Sequence, residues 1–138
     1  MKDIAILLLL LLAVAVVTDL RSNKIPNLLI LTGLVLGIII TNHFIESISV
    51  FLFIILIFFP LFKIGALGAG DIKCIAMMSF YMTRQELLMA MFYAFLLAAG
   101  FGICKIIYYR SLEVRKSKVR LAFFLFTGTL ISVGGTYL

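Results

Sequence analysis

The sequence predicts an all-α, polytopic integral membrane protein: one bundle of six transmembrane helices with both termini outside the cytoplasm. Three observations predict it. The 138 residues are 64% hydrophobic and only 13% charged, whereas soluble domains run at about one half and about one quarter. The apolar residues fall into six segments, roughly Ile4–Thr18, Asn27–Thr41, Ile48–Phe62, Ile64–Met82, Leu87–Tyr109 and Val119–Leu138. The cationic residues gather in alternate loops between them. No intervening stretch is long or polar enough for a soluble domain, so residues 1–138 read as a single membrane-embedded domain. Strand-period alternation is absent, which argues against a barrel.

The first segment ends at Thr18-Asp19. Ala13-Val14-Ala15 has the look of a signal-peptide cleavage site. Lys2 and Asp3 cancel in front of it, however, and Arg21 and Lys24 follow it. That charge pattern predicts an uncleaved helix whose C-terminal end lies in the cytoplasm. A span needs about 20 residues, so the first three segments must borrow flanking residues or sit in thinned membrane. The second segment opens at Pro26-Asn27, with Pro26 in its usual place at a first helical turn and Asn27 able to cap or hydrogen-bond nearby. It carries Gly33 and Gly37 in G-x-x-x-G spacing, a close-packing signature in lipid, where helices gain little from hydrophobic association.

In the third segment, Pro60 is expected to bend or end the helix. Phe51, Phe53, Phe58, Phe59 and Phe62 read as lipid-facing or packing residues. The fourth segment contains G-A-L-G-A-G-D-I-K, Gly65 to Lys73, which puts a carboxylate and an ammonium after a run of glycines. The fifth has Ala90, Ala94, Ala98 and Gly102, a small residue at every fourth position, and the sixth has Gly128 and Ser132. These stripes predict helix contact faces. Cys74 and Cys104 are not spaced as a metal or redox motif and read as small buried hydrophobes. His43, beside Glu46 in an outer loop, reads as a solvated residue.

Orientation follows from charge. Loops one, three and five, with the helix ends beside them, hold Arg21, Lys24, Lys63, Lys73, Lys105, Arg110, Arg115, Lys116, Lys118 and Arg120; the other side holds Lys2 and Arg84. Cytoplasmic loops carry the excess of Lys and Arg, so loops one, three and five face the cytoplasm. The basic stretch Arg110 to Arg120 reads as a topology anchor on anionic headgroups, with substrate docking as the alternative. The net charge of +6 calls for no nucleic-acid partner; the bilayer is partner enough.

Asp19 and Asp71 then share the cytoplasmic face, although the cation count did not use them. Ionisable groups at membrane depth cost several kcal/mol and tend to serve function. Two carboxyls held close cannot both ionise easily, so one keeps a proton; aspartic proteases use such a pair, one carboxylate activating water while the protonated partner polarises the carbonyl. Asp71 opens a helix, where the dipole favours a charge, and Asp19 closes one, which suggests Asp71 as the ionised member and Asp19 as the proton holder. Gly65, Gly68 and Gly70 leave the backbone beside Asp71 free of side chains, so an extended substrate segment could pair with it.

These residues resemble a known family. G-A-G-D-I-K, Gly68 to Lys73, looks like the G-x-G-D-x-K signature of the type IV prepilin peptidases, which are membrane aspartyl proteases. T-D-L-R-S-N-K-I-P-N, Thr18 to Asn27, resembles their first aspartate block, D-x-x-x-x-x-I-P-N. The resemblance extends over essentially the whole chain and implies a six-helix layout. It implies that Asp19 and Asp71 are the catalytic pair, that Gly68 and Gly70 shape the loop, and that Lys73 completes the motif; Pro26 and Asn27 belong to the first block. It implies a prepilin substrate whose short basic leader is removed just before its hydrophobic helix, at the cytoplasmic face. Larger members add a cytoplasmic segment with paired cysteines, linked to zinc, and N-methylate the new terminus. This sequence lacks that segment, so it looks like the minimal form found in tight-adherence pilus systems or among archaeal preflagellin peptidases, with no metal and no cofactor expected and methyl transfer doubtful. Two alternatives remain at this point: a G-x-G-D protease that cuts within transmembrane helices, whose relatives lack I-P-N, and a small transporter or pilus-assembly scaffold whose acids serve a proton path.

Overall fold

The computed structural model describes residues 2–22, 24–65, 67–109 and 121–137. The basic stretch Arg110 to Arg120 lies outside the described residues. Among those described, the regular structure is entirely helical: α1 (Lys2–Ser22), α2 (Asn27–Ile40), α3 (Phe44–Lys63), α4 (Ala69–Met78), α5 (Arg84–Tyr109) and α6 (Leu121–Tyr137). Three of them, α1, α3 and α5, are long and apolar enough to cross a membrane, while α2 and α6 are shorter apolar helices.

The fourth apolar segment differs most from expectation. The apolar run covers roughly Ile64–Met82, with Asp71 expected to open its helix; α4 starts two residues earlier and has only 10 residues, about 15 Å at 1.5 Å per residue, or half of a roughly 30 Å hydrocarbon core. Backbone chemistry sets both ends. Gly65 adopts φ +78°, a conformation that side-chain-bearing residues rarely take, and it breaks the chain after α3. Gly68 then takes the extended N-cap position. Beyond Met78 the chain continues in single turns, with the Ser79, Phe80 and Tyr81 amides donating to the Ala76, Met77 and Met78 carbonyls. The segment is buried nevertheless: every residue from Cys74 to Met82 is inaccessible or nearly so.

This short helix is the hub of the fold. α2 and α3 each pack on it, α6 touches it, and α5 and α1 pack against α6. The small-residue stripes explain how backbones come so close. A Cβ on Gly128 would lie 2.5 Å from the Ala90 carbonyl oxygen and 3.0 Å from the Ala94 nitrogen, so α5 and α6 meet at van der Waals range through the predicted stripe. Ser132 extends the seam by donating to the Glu86 carbonyl at 3.2 Å. The stripe ends before Gly102, which has open space where a side chain would be. On α2, a Cβ at Gly33 would run into Met77 and one at Gly37 into Phe80 and Tyr81. The Tyr81 hydroxyl donates to the Gly33 carbonyl, satisfying a polar group at this contact.

Other expectations need correction. Pro60 neither ends α3 nor costs it its last turn, because it lies three residues from the end, where its carbonyl still accepts from the Ile64 amide at 3.1 Å. The phenylalanines behave as expected of lipid-facing or packing residues: Phe53, Phe59 and Phe62 are exposed, while Phe58 is buried and stacks on Phe95. Cys74 is buried as expected, but Cys104 is exposed.

Candidate active site

Asp19 lies in the last turn of α1 and is half-buried. In these last turns hydroxyls bond back onto carbonyls of their own helix. Thr18 Oγ1 donates to the Val14 and Ala15 carbonyls, both at 2.9 Å, and Ser22 Oγ to the Thr18 carbonyl at 3.1 Å. The chain then runs extended through Ile25 and Pro26. Pro26 occupies the N-cap of α2 (φ −64°, ψ 133°), one position before the first helical turn where it was expected. Its carbonyl receives the Leu29 amide at 3.1 Å. Asn27 makes no cap, and its side chain is used elsewhere.

Asp71 is the third residue of α4, half-buried, with the Gly68 N-cap one turn behind it. Its carboxylate folds back over that cap: a Cβ on Gly68 would sit 3.1 Å from Asp71 Oδ2. A carboxylate here stands at the positive end of the helix, among amides with no intrahelical acceptor.

The two segments are joined at two points. Lys73 Nζ donates to Asn27 Oδ1 at 3.1 Å. Gly70 faces Ile25 so closely that a Cβ on the glycine would lie 3.3 Å from Ile25 Cβ. Ile25 and Asn27, on the segment that follows α1, are therefore laid along the first half of α4. Cys74, one turn beyond Asp71 on the same helix, is buried. Lys73 lies two residues from Asp71, on a different side of α4, and is exposed.

Thus the structure joins Lys73 to Asn27 and sets Gly70 against Ile25, next to Pro26, with Gly68 beside the Asp71 carboxylate, while Asp19 lies in the last turn of α1, which precedes this joint in the chain. Sequence reasoning missed Ile25, whose side chain makes Gly70 a packing requirement. The signal for it was available as the first letter of I-P-N.

The sequence profile of the type IV leader peptidase family matches residues 6–103. The chain belongs to the type IV leader peptidase family. The match runs from α1 through most of α5, so both loops of the candidate site fall within it. No curated protein and no solved structure matches the chain. Membership in the type IV leader peptidase family makes this a peptidase, a hydrolase of peptide bonds, and its long apolar helices are those of a membrane protein.

Proposed function

We propose that this protein is an aspartyl endopeptidase of the cytoplasmic membrane that removes the short basic leader of type IV prepilin-like precursors, with Asp19 and Asp71 activating the attacking water. The observation that carries the proposal is the joint between the two acid-bearing segments, Lys73 to Asn27 and Gly70 against Ile25. It ties the segment that follows Asp19 in the chain to the helix turn that carries Asp71.

In the reaction, the ionised carboxylate takes a proton from water as the water oxygen attacks the scissile carbonyl carbon. The protonated partner donates its proton to the carbonyl oxygen, giving a neutral tetrahedral diol. Collapse of the diol breaks the C–N bond; one hydroxyl proton returns to a carboxylate and the departing nitrogen receives a proton from the pair. One water is consumed and the pair ends with the single proton it began with. The exposed glycine-rich entry to α4 leaves room for an extended leader segment alongside the backbone. Six helices crossing or entering the bilayer with both termini outside, as the distribution of cations implies, put this end of α4 at the cytoplasmic surface, where a basic leader would arrive.

The test is co-expression of the chain with candidate prepilins, reading leader loss by mass. Wild-type chain should shorten at least one precursor at the junction between leader and apolar helix. Asp19→Asn and Asp71→Asn should each abolish that shortening while leaving the protein in the membrane. Processing that survives both substitutions would overturn the proposal.

A further inference from the structure

One large cavity adjoins the candidate site and is used by none of the chemistry above. α2 and α3 are consecutive in the chain, and each packs on α4. The groove between them has a volume of about 540 Å³. Leu31 and Leu34 of α2, Phe51 and Ile55 of α3, and Ile72 of α4 line its length, while Asn27 and Lys73 form its polar end. Leu31 and Leu34 lie one helical turn apart, as do Phe51 and Ile55, so the walls form straight apolar rails rather than a random hollow. From Asn27 to Leu34 the groove runs about 10 Å along α2, roughly two helical turns.

We infer that this groove is the docking site for the apolar helix that follows the cleavage point of the substrate, which enters with its scissile segment at the Asn27–Lys73 end. The inference rests on the function proposed above. The two ends of the groove match the two parts of such a substrate. A scissile segment must be extended to be attacked, so its carbonyls lack helical partners. The Lys73 ammonium carries three donors, of which the Asn27 side-chain oxygen takes one, and the Asn27 amide nitrogen adds two more. Beyond that point the substrate becomes an apolar helix, and the walls become leucine, isoleucine and phenylalanine. The position fits as well: Ile72 and Lys73, which line the groove, directly follow Asp71 in α4. Side chains from one face of a two-turn segment fill such a volume, and ligand pockets of this size are common.

The test uses photo-crosslinking amino acids in the uncleaving Asp71→Asn chain, reconstituted in phosphatidylethanolamine–phosphatidylglycerol vesicles with a panel of tagged prepilin-type precursors. Probes replace Leu31 and Ile55 in the groove, and Leu130, exposed on α6, serves as the control. At least one precursor should form adducts at both groove positions and none at Leu130, with the adducts mapping to the first turns of its apolar helix. Adducts to lipid alone at the groove positions, or equal capture at Leu130, would overturn the inference. This readout does not need cleavage: processing by wild-type chain without groove adducts sinks the docking site and leaves the peptidase intact, whereas groove adducts without processing do the reverse. A filling substitution, Leu31→Trp, should raise KM about tenfold, the equivalent of about 1.4 kcal/mol, with kcat within about twofold.

Discussion

Lys73 and Asn27 hold the site together: the ammonium donates to the side-chain oxygen at 3.1 Å, joining the first residue of α2 to the first half of α4. The bond lies between two motifs that are far apart in sequence. A hydrogen bond to a charged group contributes about 1.5–3 kcal/mol when sheltered, and less here because both residues are exposed. Lys73→Ala and Asn27→Ala should therefore each lower kcat/KM for leader removal by roughly three- to tenfold, an effect of about 1 kcal/mol. If the pair acts as one unit, the double variant should fall no further than the worse single variant. Steady-state cleavage of a reconstituted precursor measures this; full additivity would mean that the two residues act separately.

Loss of either aspartate should be far more severe. In an acid pair each member depends on the other, so Asp19→Asn and Asp71→Asn should each reduce the rate by at least about a thousandfold, and the double variant should be no slower than either alone, as for catalytic residues that act as a unit. Single-turnover cleavage with enzyme in excess separates this loss from weaker binding. A decline of only tenfold in either variant would remove that aspartate from the chemistry.

Gly70 and Ile25 offer a cleaner probe of the joint, because neither carries reactive groups. A Cβ at residue 70 would meet Ile25 Cβ at 3.3 Å, tighter than ordinary contact. Gly70→Val should push the loop away from α4 and lower leader removal at least tenfold while the protein remains folded, since overpacking strain is typically about 1–3 kcal/mol. Ile25→Ala opens the space, so Ile25→Ala combined with Gly70→Val should recover part of the loss. A double-mutant cycle reports the coupling directly. Independent, additive effects would show that the two side chains do not press on each other in the working enzyme.

Much of this was legible in the sequence because membrane proteins give up their charges sparingly. The cation count by itself leads one to expect Asp19 and Asp71 on one face, and the apolar segment beginning at Asn27 coincides with the start of α2. The true length of α4 was hidden, since the residues on either side of it are as apolar as the helix itself, and in lipid there is no polar face to give a period. Its start was set by a positive φ at Gly65, one glycine among several that looked alike. The start of α5 was legible but was placed late. Thr83-Arg-Gln-Glu86 is a capping box, in which the Thr83 amide donates to Glu86 Oε2 at 2.9 Å and the Glu86 amide to Thr83 Oγ1 at 3.4 Å. The groove between α2 and α3 could not have been read at all. It exists because two consecutive helices lean on α4, and no local pattern records that.

Gly128 and Gly102 make the final contrast, between two glycines in sequence stripes that look equivalent. A Cβ on Gly128 would fall 2.5 Å from the Ala90 carbonyl oxygen, a rigid backbone atom that cannot swing aside, whereas Gly102 has nothing within 4 Å. Gly128→Ala should therefore force α5 and α6 apart and destabilise the protein by about 1–3 kcal/mol, the usual range for an overpacked contact. Gly102→Ala should be neutral, or stabilising by up to about 1 kcal/mol, because alanine is the better helix former. Denaturation in mixed detergent micelles, followed by helical signal, separates the two cases. Equal midpoints for the two variants would show that the α5–α6 seam yields easily, and that close backbone approach is not what holds this side of the bundle.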